Sequence, residues 1–410
     1  MKKAYLFFGF AIPTEQMQAV FAEDQLPQVQ THKFNWNLIK GLEYWDRFAL
    51  TYISSRPVGD YPYYPHRFIR RQVWMEEVHG RSIKILELPF INVSVFKVIS
   101  RFLWALTHGL REFHSKVDKA GVIVYSVHVP FMLAGLILAR IYNIACIGVW
   151  TDPPAVRTQR EGAIKAKLRN LEYILSKHLM RRFSKVVVVA ERLAIDFAPG
   201  KQYMVMEGIT DVNEVSVHSG GCSNSHHGLV KFVYTGSLDA RYGIRSLVEG
   251  FRLLQNVNCI LEIYGKGELE AELKKLSGSF DNVTYKGYIP NERILLVQRN
   301  ADFLVNPRPN TDGFVKYSFP SKILEYMLSG TPIITTILSG MPEVYRHLVV
   351  PLDSCSPVHI AQVLDQAVRM SSDERRELAK KAFDFVQSIN YINQGRRVCD
   401  FVADDQFFCD

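Results

Sequence analysis

Lys322 and Glu325 lie three residues apart, just after Pro320 and Ser321, in a stretch with the pattern of a short helix. Residues at this spacing are neighbours on one helix face. A helix N-terminus attracts anions through its free N–H groups and its dipole, and a lysine beside it adds a positive charge for phosphate. A carboxylate one turn further on can accept hydrogen bonds from paired hydroxyl groups. These residues predict a nucleoside diphosphate site, with phosphate at the helix tip and the ribose on Glu325.

The elements around this pair have clear start and stop signals. Pro320 suits the first helical position, where its missing N–H costs nothing, and Gly330 suits the residue after the last turn. Pro332 stops the helix, and a buried strand is predicted over 332–335. The apolar side of the helix has helical spacing: Ile323, Leu324, Met327 and Leu328. A plain surface helix with a solvated lysine and glutamate is the alternative, but the ordered Pro, Ser, Lys, Glu, Gly and Pro favour a binding site.

The same run resembles the nucleotide-sugar site of retaining glycosyltransferases of family 4, which have the GT-B fold. It is most similar to the bacterial surface-polysaccharide branch, whose members carry Pro-Ser-Lys, Glu-Tyr-Met and Gly-Pro in this order. The resemblance is strong over 230–346 and weak before residue 120. It implies that Glu325 holds the donor ribose. Where the family often has a second glutamate near the transferred sugar, this chain has Tyr317.

The resemblance implies further donor contacts around Gly236, which lets the backbone approach a ligand closely. The family typically has an arginine after this glycine and a lysine before the next one. This chain has Ser237 and Tyr242 there, so Arg241 is the candidate cation for the diphosphate. A plain turn with a solvated arginine is the alternative.

Other donor candidates follow predicted strands. The guanidinium of Arg308 can donate two parallel hydrogen bonds to a phosphate. By resemblance, Lys286, Gly287 and Tyr288 contact the nucleobase, whose edge the family's backbone reads here. The resemblance also implies that Gly9 borders the donor diphosphate and that Glu207 approaches the donor from the first domain. Pro320, Ser321 and Tyr317 complete this set of donor candidates.

His128 and Asp152 are the catalytic candidates. Each directly follows a predicted buried strand, and α/β sheets place their sites at such strand ends. Family members often have a histidine next to this aspartate, where this chain has Thr151. A lone histidine is more often structural, so which of the two residues acts stays open.

Apolar runs that alternate with helical patterns predict parallel α/β sheets. In the first half the predicted strands are 4–9, 28–34, 48–53, 82–88, 121–126, 145–150, 185–189 and 202–206. The predicted helices there include 92–114, 130–143, 159–182 and 190–197. In the second half the alternation restarts at 231–235 and ends in helices near 357–371 and 373–388.

We therefore predict an α/β protein of the GT-B type, with two Rossmann-like domains whose parallel sheets face a cleft. A chain of 410 residues is too long for a single core. Residues 1–208 form the acceptor-side domain, 209–229 a linker or exposed loop, and 230–388 the nucleotide-sugar domain. Residues 389–410 are expected to pack back on the first domain, as GT-B chains usually end.

The net charge of +8 is unevenly distributed, with +12 in residues 1–205 and −4 in the rest. Nucleic acid is not favoured, because the chain has no run of Lys and Arg, zinc finger or RNA-binding signature. An anionic membrane face fits better. The basic segment 157–185 is either an amphipathic helix packed on its sheet, through residues such as Leu168 and Leu171, or a lipid-docking helix. Phe102 and Trp104 are either an added apolar anchor or core residues.

The six cysteines show no metal or disulfide spacing, which indicates a reduced cytoplasmic protein. The apolar N-terminus is interpreted as a strand, not a signal peptide, because Pro13 and Glu15 follow a short run. Residues 121–150 are the longest apolar region. Their pattern fits a strand, a helix and a second strand better than it fits a membrane-spanning helix. We expect a cytoplasmic location, with a peripheral position on the inner membrane face as an option.

The function expected from these features is transfer of a sugar from a nucleotide-sugar donor, expected to be UDP-linked, to a saccharide or lipid-linked acceptor. The configuration at the anomeric carbon is expected to be retained. The reaction is expected to serve the biosynthesis of a cell-surface polysaccharide or glycoconjugate. Cations and a helix tip can neutralise the leaving diphosphate, and no DxD metal site is evident, so we expect no metal and no cofactor. The alternatives are a sugar-nucleotide hydrolase or epimerase, a non-catalytic partner subunit and a membrane-surface adaptor. Hydride chemistry is not favoured, because no GxGxxG opens either domain's first helix.

Overall fold

The computed structural model describes residues 2–154, 163–211, 229–254, 258–277, 282–311 and 313–404. The chain divides into two compact units, one made of residues 1–211 and 390–410 and the other of residues 212–389. Most of the predicted linker, 212–228, lies outside the described residues.

The first unit is built on an eight-stranded sheet with the order β10-β9-β8-β7-β1-β2-β5-β4. All of its neighbouring strands are parallel except β4, which pairs with β5 in an antiparallel hairpin. A separate antiparallel pair joins β3 to β6. The strands are β1 Ala4–Gly9, β2 Ala49–Ser54, β3 Phe68–Ile69, β4 Gln72–Val78, β5 Arg81–Glu87, β6 Phe90–Ile91, β7 Lys119–Tyr125, β8 Ala145–Trp150, β9 Lys185–Val188 and β10 Gln202–Val205.

Helices connect these strands: α1 Thr14–Glu23, α2 Val29–Trp45, α3 Ser94–His114, α4 Val129–Tyr142, α5 Ala163–Met180 and α6 Glu191–Phe197. The strand predicted over 28–34 is wrong, because these residues begin α2. His32, Trp36 and Ile39 are buried there at helical spacing. The short alternation that suggested a strand is the start of a longer pattern with the period of a helix.

The apolar stripe of segment 157–185 does not pack on the sheet as predicted. Leu168 and Leu171 are 51% and 62% exposed, whereas Leu179 and Met180 are buried. The C-terminal end of α5 is therefore buried in the unit, whereas Leu168, Leu171 and Ile174 face solvent. Residues 157–162 lie outside the described part of the chain.

The second unit has a parallel six-stranded sheet with the order β13-β12-β11-β14-β15-β16. Apolar side chains cover both faces, as parallel sheets require: Phe232 and Leu261 face one core, and Val233 and Leu304 face the other. The strands are β11 Val230–Thr235, β12 Cys259–Tyr264, β13 Val283–Gly287, β14 Phe303–Asn306, β15 Ile333–Thr336 and β16 Val350–Leu352. The helices are α7 Ile244–Arg252, α8 Glu270–Ser277, α9 Asn291–Arg299, α10 Ser321–Ser329, α11 Pro357–Arg369 and α12 Ser372–Ser388.

The order of this sheet creates a switch point beside β11. The chain passes from β11 to β12 and β13 on one side, then places β14 on the other side of β11. Ligands of open α/β sheets bind outside the carboxyl ends of the strands at such a point. The helix that carries Lys322 and Glu325, α10, begins after Pro320 and ends at Gly330, whose φ of +73° is the left-handed conformation that glycine adopts readily.

The last described helix, α13 Tyr391–Ala403, packs against α2 within the first unit. Trp45 Nε1 donates a hydrogen bond to the carbonyl oxygen of Ile392 at 2.6 Å. The two helices approach so closely that a Cβ on Gly41 would lie 2.3 Å from the Tyr391 oxygen, and one on Gly395 would lie 2.5 Å from the Gly41 carbonyl. None of the helices in the described residues has both the length and the apolar character needed to cross a bilayer.

Gly395→Ala should therefore destabilise the chain. The new methyl group would meet backbone atoms, which cannot move aside as a flexible side chain can. Overpacking costs about 1–3 kcal/mol, which outweighs the roughly 0.5–1 kcal/mol that alanine gains over glycine inside a helix. Urea unfolding measures the change, and Gly313→Ala, where a Cβ meets nothing within 4 Å, is the control. Equal free energies of unfolding for both variants would contradict the close packing of α2 and α13.

Candidate functional site

A cavity of about 280 Å³ lies in the second unit, at the carboxyl ends of β11, β12 and β13. It contains five of the predicted donor residues: Gly236, Ser237, Tyr288, Lys322 and Glu325. The rest of its lining was not predicted and comprises Thr235, Tyr264, Gly265, Lys266, Ile289 and Ile294. The cavity is formed within one unit.

Two glycine turns form one wall of this cavity. Gly236 has a φ of +148° and Gly265 a φ of +147°, values that glycine adopts readily. A Cβ on Gly236 would lie 1.3 Å from Lys322 Nζ, and one on Gly265 would lie 1.7 Å from the Gly236 oxygen. At Gly265 a side chain would collide with backbone, and at Gly236 it would displace the lysine ammonium group; the positive φ favours glycine at both positions.

Lys322 brings a positive charge to the first turn of α10. Its ammonium group donates a hydrogen bond to the Thr235 carbonyl oxygen and lies 4.9 Å from the centre of the Tyr234 ring. Burial lowers the pKa of Lys322 from 10.5 to about 8, and the negative charge of Glu325 acts in the opposite direction. The lysine is therefore a desolvated cation whose charge an incoming anion would stabilise.

Glu325 is held by Gln298, a fully buried residue of α9. Gln298 Nε2 donates to Glu325 Oε1 at 2.7 Å and to Thr235 Oγ1 at 3.0 Å. The hydroxyl of Tyr326 accepts a hydrogen bond from the Thr235 N–H at 3.0 Å and donates one to the Thr235 carbonyl at 3.1 Å. The carboxylate is thereby tied to the end of β11 through buried polar groups.

Gln298 is a residue that sequence reasoning missed. The sequence pattern predicts a helix over 290–298, in which Gln298 is one polar residue among several. The one available signal was its place near the end of an amphipathic helix beside Ile294 and Val297, which suggests the core side.

Tyr288 offers an aromatic face at the outer side of the cavity. Its ring is 55% exposed, and Lys266 Nζ lies 4.3 Å from the ring centre. Gly287, directly before it, accepts a hydrogen bond from the Gly265 N–H at 2.9 Å. Lys286 does not line the cavity and lies 3.5 Å from Glu262.

The two predicted arginines lie outside the cavity lining. Arg241 is exposed and makes two side-chain hydrogen bonds to Asp239, at 3.0 and 2.8 Å. Arg308 lies between the rings of Tyr242 and Phe314, 5.5 and 5.3 Å from their centres. Because Arg241 already forms an ion pair with Asp239, its guanidinium is a weaker candidate for binding a diphosphate.

The remaining predicted residues of this unit flank the start of α10. Pro320 is buried and precedes the helix, and Ser321 is its exposed first residue. Tyr317 ends a short 3₁₀ helix, Val315–Tyr317, with Lys316 Nζ 4.7 Å from its ring centre. None of these three residues lines the cavity.

In the first unit, His128 lies at the start of α4, three residues after the end of β7, which pairs in parallel with β8. The rings of Phe10 and Phe131 surround it at 5.0 and 4.6 Å, and Arg101 Nη1 is 3.4 Å from its Nε2. Burial first, and then the charges of Arg101 and Lys97, lower the pKa of His128 well below its ordinary value. The imidazole is therefore neutral at pH 7.

The other predicted residues of this unit also lie at or near strand ends. Asp152 follows β8, is exposed and accepts a hydrogen bond from Thr151 Oγ1 at 2.8 Å. Gly9 ends β1, and the next N–H, of Phe10, donates to Asn35 Oδ1 at 2.6 Å. Glu207 is half-buried after β10.

Comparison with known proteins identifies a sequence match in the second unit. Residues 223–385 match the family model for glycosyl transferases group 1. The chain is 30% identical over 129 residues to the amylovoran biosynthesis glycosyltransferase AmsK of Erwinia amylovora, which covers 30% of this chain and 31% of that protein. It is 26% identical over 121 residues to an uncharacterized glycosyltransferase of Methanocaldococcus jannaschii, which covers 28% of this chain and 30% of that protein. The matched part thus spans about a third of these curated relatives.

Solved structures match almost the whole chain. Sucrose-phosphate synthase from Thermosynechococcus elongatus has a TM-score of 0.63 at 15% identity over 98% of both chains. The E. coli trehalose-6-phosphate structure bound with UDP-2-fluoro glucose has a TM-score of 0.64 at 10% identity, and covers 98% of this chain and 99% of that one. Anabaena HepE in complex with UDP has a TM-score of 0.61 at 12% identity over 98% of this chain and 99% of that one. The predicted α/β fold of the GT-B type is confirmed, as is the resemblance to GT-B glycosyltransferases; membership of family 4 and of its surface-polysaccharide branch stays a prediction.

The lowered pKa of Lys322 predicts a stability difference between the wild-type chain and Lys322→Met that changes with pH. Below about pH 8 the lysine is protonated in both the folded and the unfolded chain, whereas between 8 and 10.5 only the unfolded chain binds the proton. The free energy of unfolding of the wild-type chain should therefore rise with pH in this window, relative to the variant. Urea unfolding on both sides of pH 8 measures this, with exposed Lys274→Met as the control. A difference that does not change with pH would contradict the buried state of the lysine.

Proposed function

We propose that this chain is a retaining hexosyltransferase that transfers a sugar from a UDP-linked donor to a saccharide or lipid-linked acceptor, in the biosynthesis of a cell-surface polysaccharide or glycoconjugate. One observation carries the proposal: Lys322, Glu325 and two glycine turns surround a single cavity at the switch point of a parallel sheet. The match of residues 223–385 to glycosyl transferases group 1 supports the same activity.

In this proposal each group of the donor has a defined partner. The diphosphate binds at Lys322 and the first N–H groups of α10, where positive charge is concentrated. The ribose hydroxyls donate to Glu325, whose carboxylate Gln298 holds in place. The nucleobase stacks on Tyr288, beside Gly287 and Lys286. UDP is favoured because two proteins with this fold, HepE and the E. coli protein, were solved with uridine nucleotides.

The proposed chemistry depends on charge rather than on a metal ion. Cleavage of the sugar–phosphate bond leaves negative charge on the diphosphate, and groups already aimed at that charge stabilise the transition state. Lys322 supplies one positive charge, and Arg241 and Arg308 are further candidates. His128, neutral at pH 7, is proposed to accept a proton from the acceptor hydroxyl, with Asp152 as the alternative.

The acceptor and the location of the protein are part of the same proposal. The excess of basic residues in the first half of the chain fits an acceptor anchored in an anionic membrane. The protein would then work on the cytoplasmic face of that membrane, in peripheral contact with it, and without nucleic acid as a partner.

A second candidate function, a nucleotide-binding partner subunit without catalysis, is favoured by Tyr317 and Thr151. These residues occupy the positions where glycosyltransferases of the predicted family often have a glutamate and a histidine. UDP binding without turnover on any acceptor would favour this candidate. A panel of UDP-, GDP- and dTDP-sugars, scored by thermal shift and nucleoside diphosphate release, distinguishes the two.

Glu325→Ala should weaken UDP binding about 100-fold while leaving the fold intact. The variant loses the acceptor of two hydrogen bonds from the ribose, and a hydrogen bond to a charged group contributes about 1.5–3 kcal/mol. Isothermal titration with UDP measures the affinity. Glu343→Ala, at a carboxylate that is 77% exposed in the same unit, is the matched control. Unchanged affinity in Glu325→Ala would refute the assignment of the ribose to this residue.

Gln298→Met should lower UDP affinity about tenfold, because methionine fills a similar volume but cannot hold Glu325. The two residues act on one ribose, so the loss should disappear in the Glu325→Ala background. Titrations of both single variants and the double variant test this coupling. If the two losses add, Gln298 acts through packing and not through Glu325.

A further inference from the structure

The polarity of α3 is inverted relative to an ordinary surface helix. Its cations Lys97 and Arg101 are buried, at 8% and 5% exposure. Its large apolar side chains are exposed by between 43% and 61%: Val95, Phe96, Val98, Ile99, Leu103 and Trp104. Surface helices normally place such residues against the core, and contiguous exposed apolar patches mark interaction sites.

The inward cations fix this orientation. Lys97 Nζ donates to the Val58 carbonyl at 2.7 Å and to Asp60 Oδ1 at 2.8 Å. Arg101 Nη2 donates to the Arg56 carbonyl at 2.6 Å, and its guanidinium lies 4.1 Å from the centre of the Phe90 ring. A rotation of α3 that hid the apolar side would break these contacts, so the apolar side is held outward.

Elements next to α3 in the first unit also carry exposed apolar residues. Phe68, 70% exposed, pairs through β3 with Ile91, which lies three residues before the start of α3. On the other side α3 packs against α4, and α4 packs against α5. Those two helices expose Ile141, Leu171 and Ile174 by between 55% and 62%.

Exposed cations border this surface. Arg71 and Arg111 lie close enough to His108 of α3 that, after burial, their charges lower its pKa. Arg140 is an exposed residue in the last turn of α4, and Arg181 and Arg182 follow α5. Glu112, the acidic residue of α3, lies 3.5 Å from Lys84. The border therefore has an excess of positive charge.

We propose that the outer side of α3 docks on an anionic lipid bilayer, with the helix in the plane of the interface and Phe96, Ile99, Leu103 and Trp104 at the boundary between headgroups and acyl chains. An apolar helix side bordered by Lys and Arg binds bilayers in this way, through buried apolar area and attraction to anionic lipids. A second copy of the chain fits less well, because a symmetric interface would bring the two basic borders together. This docking does not depend on the proposed transferase activity.

Vesicle co-sedimentation of the full chain tests the proposal, with phosphatidylcholine vesicles made with and without phosphatidylglycerol. Binding should require the anionic lipid and weaken with salt. Replacing Phe96, Ile99 and Leu103 together with serine should lower the partition coefficient at least about 100-fold, given the apolar area withdrawn. The matched control replaces three exposed apolar residues of the second unit with serine: Leu296, Val344 and Val358. Thermal unfolding checks that both triple variants fold.

A second measurement reports the depth of insertion. Brominated lipids should quench the tryptophan emission, and Trp104→Phe should remove most of that quenching. Trp36 and Trp150 are buried, Trp45 and Trp74 are half-buried, and Trp104 is the one tryptophan of α3. Absence of wild-type binding to anionic vesicles, or full binding by the α3 variant, would overturn the proposal. So would wild-type self-association, measured by sedimentation velocity, that the α3 variant abolishes while vesicle binding remains. None of these readouts involves sugar transfer, so the docking and the proposed function can fail separately.

Discussion

The hydrogen bonds that converge on Thr235, at the end of β11, are the interaction on which the candidate site depends. Lys322 and Tyr326 reach this residue from α10, and Gln298 reaches it from α9. Buried polar groups are costly when they lack partners, so each of these side chains has one favourable position. The strand end thereby sets the position of the lysine and, through Gln298, that of Glu325.

The two glycine turns and this network have complementary effects. The glycines of these turns have no side chains, so the space beside the backbone at the ends of β11 and β12 is open to the Lys322 ammonium group and to a ligand. The network supplies charge and hydrogen-bond acceptors at fixed points of the space that remains. All these residues belong to the second unit, so the proposed partners of the diphosphate and the ribose lie within one compact part of the chain.

Local sequence signals, such as a proline before a helix and a glycine after it, predicted the helix that carries Lys322 and Glu325. The helix with Lys322 and Glu325 has its proline start and glycine end in the sequence, and α10 lies within one residue of the expected bounds. Gln298 has only a weak local signal, because its hydrogen-bond partners belong to β11 and α10 and meet it only in the folded unit. The same limit explains α3: the spacing of Phe96, Ile99 and Leu103 reveals an apolar side, but Lys97 and Arg101 find their buried partners only in the folded unit. The strand predicted at 28–34 failed because a seven-residue window is too short to reveal the period of a helix.

The contact between α2 and α13 joins residues that are separated by the whole second unit. During synthesis, the surface of α2 around Gly41 and Trp45 stays open to solvent until residues 391–403 leave the ribosome. The second unit is translated in full before that contact can form, so the unit that starts first in sequence receives its last helix only after the other unit has been synthesised.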